Sequence, residues 1–340
     1  MKMVLKIFAA LALFVSIVAP VKAQDAQQAA NAYNWALKNY KDDINASIDS
    51  LERFNEIATG LLEEEKLEGK QEEQIQKLQK KAHKYLPTFY YMASNRLYRQ
   101  MRTDMAIEKF KETIEVAKKF DNQEIIEKSE NVLPKVYYKS ASDAMQMMDY
   151  QKAADLYGKA AEYDPDWAKA YMKKALALQK QENYGKMMET IRQTIKVAQE
   201  TENEEVQKRA IRIAQNYYWS IGANAISEGE NEEALTAFKK ALEFDKEDSY
   251  AYYYLALAKN KLLKYSEAVE DAEKGLALLK NAEEEDKEQE ARLRLQLGIA
   301  EASLGKAKNG CENIKKAQYG KTDEKARREY EAFECPPPEE

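Results

Sequence analysis

Few side chains in this sequence could carry chemistry. His83 is the only imidazole among 340 residues, so any Ser/His/Asp or Cys/His arrangement would have to use it. It stands in a Lys-rich helical stretch, Lys80-Lys81-Ala82-His83-Lys84, where a solvated surface position is expected. No histidine–cysteine cluster is available for zinc. Gly305 and Gly310 have the spacing of a phosphate loop. However, Cys311-Glu312 follows where Lys and Ser/Thr are required, and no strand pattern precedes it. Acid pairs such as Glu204-Glu205 fall on helical faces that water would solvate, and nothing singles out a pair for acid–base work. These residues point to a non-catalytic chain with no cofactor and no metal.

Two cysteines remain, Cys311 and Cys335. In an exported protein an isolated pair is expected to form a disulfide, which would pin the last helix to the segment before it. Closing a loop of this length is worth roughly 3–4 kcal/mol in the chain-entropy model. Two buried free thiols are the alternative.

Export is suggested by the first 23 residues. Lys2 and Lys6 precede an apolar run from Ile7 to Ala19, and Val21-Lys22-Ala23 places modest side chains before Gln24. This is the layout of a cleaved secretory signal. A membrane anchor is the alternative, although the run is short against the roughly 20 residues a span needs. The segment carries three lysines and no acid, so the remainder has 50 basic and 59 acidic residues, net −9. An acidic chain without a basic block is a poor candidate for nucleic acid or anionic membrane. No other stretch is apolar enough to span a bilayer. The mature chain is therefore expected to be soluble, in the periplasm or outside the cell.

The elements that must position these groups are helices. Only 11 glycines and 7 prolines interrupt a chain rich in Ala, Glu, Lys and Leu, and 22 tyrosines supply large apolar surface. The chain also repeats itself. Ala153, Tyr157, Ala160 and Asp164 match Ala234, Phe238, Ala241 and Asp245 at an offset of 81, and Asn122 matches Asn203 at the same offset. Hairpin starts at 87, 134, 168, 215, 249 and about 291 give alternating steps of 47 and 34 residues and a last step of 42.

The 34-residue step, with its residue pattern, resembles the tetratricopeptide repeat. An aromatic at position 4, small residues at 8 and 20, an aromatic at 24 and Ala at 27 appear as Tyr137, Ala141, Ala153, Tyr157 and Ala160 in the second hairpin. In the fourth they are Tyr218, Gly222, Ala234, Phe238 and Ala241. The first hairpin is looser, with Ser94 and Thr113 at positions 8 and 27; the third has Met187 at position 20, and the sixth has Arg294 at position 4. The resemblance covers roughly 87–320. It implies an all-α, right-handed α-solenoid of helix hairpins with a concave groove, in which small residues let paired helices approach closely and aromatics fill the gap between hairpins. On this reading residues 24–86 are a degenerate helical cap, 87–320 six hairpins, 321–335 a closing helix and 336–340 a frayed tail. The inserts at 121–133 and 202–214 read as extra turns or short helices on the rim, and Pro87 and Pro134 as first residues of their hairpins.

In the resembled family the concave face is lined by positions 2, 5, 9 and 12 of each first helix. These select Tyr91, Asn95, Tyr98, Tyr138, Lys169, Met172, Trp219, Tyr250, Tyr253 and Arg292 as the candidate partner-binding residues. An aromatic stripe with scattered cations and amides suits an extended peptide or an amphipathic helix. The same aromatics could instead only pack first helix against first helix. Some members of the family clamp a C-terminal carboxylate with Lys at position 5 and Asn at position 9. Asn95 fits one half, but Tyr91 stands where the Lys would be. The expected function is a protein–protein scaffold or adaptor. The alternative is a structural component whose repeats self-associate into a homo-oligomer or envelope assembly.

Overall fold

Asp and Asn side chains that accept backbone amides mark the start of seven described helices, two of them the lengthened first helices that begin after Asn122 and Asn203. The computed structural model describes residues 22–64, 67, 69–281 and 285–336; the expected signal segment up to residue 21 and the tail 337–340 lie outside the described residues. All described regular structure is helical. The chain divides after Pro165 into two compact units.

The first unit holds α1 (Lys22–Asn39), α2 (Ile44–Glu63), α3 (Lys70–Arg99), α4 (Thr103–Lys119), α5 (Gln123–Gln146) and α6 (Tyr150–Tyr163). They pair as the hairpins α1–α2, α3–α4 and α5–α6, and α3 also touches α1 and α5. The second unit holds α7 (Ala168–Lys180), α8 (Tyr184–Glu200), α9 (Glu204–Glu228), α10 (Asn231–Leu242), α11 (Ser249–Lys261), α12 (Tyr265–Lys280), α13 (Lys287–Ser303), α14 (Ala307–Lys316), a 3-10 turn (Gly320–Thr322) and α15 (Asp323–Ala332). Its hairpins are α7–α8, α9–α10, α11–α12 and α13–α14, with α11 packed on α13. Each unit is thus a stack of hairpins of tetratricopeptide type.

The inserts are not separate turns. Asn122 caps α5 by accepting from the Ile125 amide at 3.2 Å, and Asn203 caps α9 by accepting from the Val206 amide at 3.2 Å. Ile125, Ser129 and Leu133 are buried in α5, and Val206, Ala210 and Ala214 in α9, at the i, i+4, i+8 spacing of one helical face. The apolar stripe therefore runs without a break from the inserted residues into the repeat, and the first helix is lengthened by about three turns. Pro134 lies inside α5 and Pro87 inside α3 rather than at helix starts. Each removes one intrahelical donor, a loss the buried stripe on either side outweighs. The boundary expected between cap and first repeat, 86/87, likewise falls within α3, whose Ile75, Ala82 and Leu86 are buried together with Pro87.

Small residues sit where the helices of a hairpin cross. Ala141, Ala153, Ala234, Ala256 and Ala268 have no exposed surface. The approach is tightest in the last hairpin: a Cβ added to Gly298 would lie 2.8 Å from the Gly310 carbonyl oxygen and 2.6 Å from Ile314 Cγ1. In the loose first hairpin, the Ser94 and Thr113 hydroxyls lie 2.8 Å apart, so one donates to the other, which donates in turn to a carbonyl of its own helix, Tyr90 or Lys109. Arg294, in place of an aromatic, pairs with Glu290 at 2.6 Å and reaches Asn313 of α14 at 3.2 Å. Met187 is fully buried.

Every turn within the last six hairpins uses one residue in the left-handed region: Met101, Met148, Glu182, Gly229, Leu263 and Gly305. In each, the next amide reaches back to a carbonyl five residues earlier, as from Asp149 to Ala144 at 2.9 Å and from Lys264 to Lys259 at 2.9 Å. Four of the six positions carry a side chain where glycine would be unstrained. Met148 and Leu263 are 73% and 71% exposed, so truncating them removes no packing. Met148→Gly and Leu263→Gly are each expected to raise the unfolding free energy by about 1 kcal/mol. Gly298→Ala is expected to lower it by about 1–3 kcal/mol, because the blocking atoms include backbone. Urea unfolding followed by circular dichroism measures both signs.

Candidate partner-binding surface

The groups weighed and set aside for catalysis are engaged structurally. His83 is not a solvated surface histidine. It is half-buried, stacked on Phe120 at 4.4 Å, and its Nε2 lies 2.7 Å from Asn55 Oδ1. A carboxamide oxygen only accepts, so Nε2 carries the hydrogen. Burial, and then the Lys119 charge, hold its pKa below the ordinary 6.5. Glu204 and Glu205 are exposed in the first turn of α9, where Glu204 pairs with Lys208 at 3.2 Å. Gly305 is the turn residue between α13 and α14, and Gly310 is the close-contact residue of α14. No group of three or more His, Cys, Asp or Glu among the described residues is placed to hold a metal ion.

In the first unit the nominated residues are mostly occupied. Tyr91 is half-buried and meets Phe110 edge-on at 6.0 Å. Tyr138 meets Tyr157 edge-on at 5.0 Å. The Asn95 amide donates to the Tyr91 carbonyl of its own helix at 2.9 Å, so that donor is committed. Tyr98 is partly exposed near the end of α3.

In the second unit they separate into three kinds. Met172 is a core residue: it is fully buried among Ala168, Val197, Ala198 and Val206 and presents no surface to a partner. Its nomination is overturned because the buried face of α7 passes through it toward α8 and α9. Lys169 is exposed beside Lys173, whose pKa is lowered by burial and then by the charges of Arg209 and Lys169. Trp219 and Tyr250 have partly buried rings whose polar tips tie hairpins together. Trp219 Nε1 donates to Asp248 Oδ2 at 3.1 Å, and Tyr250 Oη donates to Asp286 Oδ2 at 2.7 Å. Asp248 and Asp286 are the capping residues of α11 and α13. Asp248 is buried, which pushes its carboxyl above the usual carboxylate range against the pull of two backbone donors. Asp286, bonded to the Tyr250 hydroxyl and the Gln289 amide, is held below that range.

Tyr253 and Arg292 are the two nominated residues that meet in open space. They line a cleft of about 310 Å³ together with Tyr254, Leu295, Glu288, Gln296 and residues of the C-terminal segment, Lys321, Thr322 and Lys325. Tyr254 stacks on Phe238 at 4.7 Å and lies 4.8 Å from Tyr253. Arg292 faces Glu288 at 3.5 Å, and Glu288 Oε2 accepts the Lys321 amide at 3.2 Å. Gly320, with φ of 52°, lets the 3-10 turn come this close: a Cβ there would fall 2.0 Å from that same oxygen.

Lys321 and Lys325 were not nominated from the sequence, because they lie outside the repeat. What brings them here is the fold-back of α15. Ala326 is buried with Leu295, Ile314 and Ala317, and a disulfide joins Cys311 to Cys335 across 24 residues with Cα atoms 5.5 Å apart.

No protein-family model and no curated protein matches the chain. Solved structures similar to it include MamA (17% identity, TM-score 0.32, covering 58% of this chain and 96% of that one). The TPR2AB domain of yeast Sti1 in complex with pHSP90 is another (15%, TM-score 0.30, 73% and 97%). A third is the TPR domain of P58(IPK) (11%, TM-score 0.31, 92% and 78%). These are likenesses of fold alone.

Two outcomes follow. Because the folded pKa of His83 lies below its unfolded value, its contribution to stability is complete above pH 6.5 and is lost as the pH falls below it. The single histidine NMR resonance is expected to titrate below 6.5, and the corresponding loss of stability on acidification to be absent in His83→Gln. Trp219→Phe keeps the ring but removes a donor from a buried carboxylate, and is expected to cost about 1–3 kcal/mol in urea unfolding at neutral pH.

Proposed function

We propose that this chain is a non-catalytic protein–protein interaction scaffold that takes an extended peptide or a partner helix on the face of its second unit bearing Tyr253 and Arg292. One observation carries the reading: these two nominated residues meet in an open cleft, to which α11 contributes rings and α13 and the C-terminal segment contribute cations. A partly exposed tyrosine offers contact area with little rotamer entropy to lose, and an arginine beside it fixes orientation. The fold supports the class of activity, since stacked hairpins present long faces rather than enclosed reaction sites.

Export is part of the proposal. The basic start, the apolar run Ile7–Ala19 and the small residue at Ala23 form a secretory layout, and the Cys311–Cys335 disulfide suits an oxidising compartment. No described helix is long and apolar enough to cross a membrane.

Photo-crosslinking in the producing cell tests the surface. A crosslinker at position 253 is expected to trap one partner that a crosslinker at exposed Glu270 of α12 does not. Equal adducts at both positions would sink the proposal. If the adduct at 253 is a second copy of this chain, and light scattering shows mass rising with concentration, the self-associating structural reading takes its place.

A further inference from the structure

Resting on that reading, we propose that the cleft lined by α11, α13 and the C-terminal segment is an anion site that takes the carboxylates of an acidic peptide. Gln296 is the starting point. It is 1% exposed, and its Oε1 accepts from Asn260 Nδ2 at 3.2 Å, while the same Nδ2 donates to the Gln296 carbonyl at 2.9 Å. Those bonds fix which way the amide faces. They leave Nε2, a buried donor, without a hydrogen-bond partner. A native interior rarely leaves such a donor unmatched, and in a cleft wall the matching acceptor can come from a ligand.

The charges around it select an anion. Arg292, Lys321 and Lys325 line the cleft against one carboxylate, Glu288, although the whole chain is acidic with net charge −6. Neither lysine is in an ion pair with a described residue. The neighbouring acids of α15 are turned to their own helix, with Asp323 on Arg327 at 3.0 Å and Glu324 on Arg328. Glu285 and Asp286 line the adjoining depression rather than this cleft, and Asp286 is held by the Tyr250 hydroxyl. Glu288 commits Oε2 to the Lys321 amide, while its buried Oε1 has no hydrogen bond and faces Arg292 at 3.5 Å.

The apolar walls select a peptide over a small ion. Tyr253, Tyr254 and Leu295 offer surface that a free inorganic anion would leave bare but that methylene groups and backbone would cover. Arginine with a side-chain amide suits the planar, two-oxygen acceptor of a carboxylate.

Fluorescence anisotropy on the full, disulfide-bonded chain tests this, using a labelled, end-blocked glutamate-rich peptide and its glutamine counterpart. The glutamate peptide is expected to bind at least about tenfold more tightly, with the preference falling as salt rises. Lys321→Gln/Lys325→Gln alters only exposed side chains and is expected to erase the preference. Gln296→Glu keeps the acceptor facing Asn260 but replaces the unmatched donor, and is expected to weaken binding by a similar factor. Equal binding of the two peptides, or an unchanged preference in the lysine variant, overturns the assignment. The crosslink at position 253 separates the two proposals: if its adduct persists in the lysine variant while no glutamate preference exists, the scaffold reading stands and the anion site falls. If both are absent, both fall.

Discussion

Everything in this molecule depends on how closely the two helices of a hairpin can approach. At the crossing points the side chains are Ala, Gly or Ser, with buried Met187 the exception, and where Gly298 meets Gly310 even one added carbon would strike backbone. That contact fixes the helix separation, and the separation decides what the neighbouring positions must hold. Phe110, Tyr157 and Phe238 are fully buried against the first helix of their own hairpin, where small residues leave room for an aromatic ring, as Gly222 does for Phe238. Once a ring is locked there, Tyr91 and Tyr138 on the first helix of the same hairpin have a ring to lie against, and Phe238 offers its ring to Tyr254 of the next hairpin. Thus the aromatic face follows from the small residues one turn away.

The turns obey the same discipline. The left-handed residues fall at 101, 148, 182, 229, 263 and 305, fourteen residues after each hairpin start read from the sequence. Steps of 47 and 34 residues therefore leave the distance from crossing to turn unchanged. The extra residues of the longer steps all lie before the crossing, in the first turns of α5 and α9. A helix can lengthen at its free end without disturbing a packed crossing, and Asn122 and Asn203 mark where the lengthened ends begin. Insertion after the crossing would rotate the turn away from its partner carbonyls, since each added residue turns the helix by about 100°.

That separation explains what the sequence makes legible. Repeated small and aromatic residues reveal hairpins, register and partners within a hairpin, because those contacts recur at a fixed spacing. The interior prolines mislead, since Pro87 and Pro134 look like starts until the buried stripe running through them is seen. Position within the repeat also overstates function: Met172 occupies a groove position yet is core, and the tips of Trp219 and Tyr250 reach a capping aspartate 29 and 36 residues away. Lys321 and Lys325 have no periodic signal. They reach the cleft only through the fold-back of a segment held by two cysteines, a contact between parts of the chain that no repeat relates.

The fold-back gives the disulfide a role beyond added stability. A stack of hairpins must end by covering the apolar edge of its last member, and α15 does this with one fully buried alanine and partly buried Tyr330 and Phe333. Ten residues with so little buried surface would hold such a position weakly by packing alone. The Cys311–Cys335 bond closes the far end of α15, while the Lys321 amide on Glu288 and the adjacent Gly320 close the near end. Between those two fixed points lie Thr322 and Lys325, so the cation-bearing wall of the cleft is held in place by contacts that lie outside the cleft's own apolar surface. A cap with a larger apolar face would have been steadier, but it would have filled the space that Tyr253 and Arg292 now share.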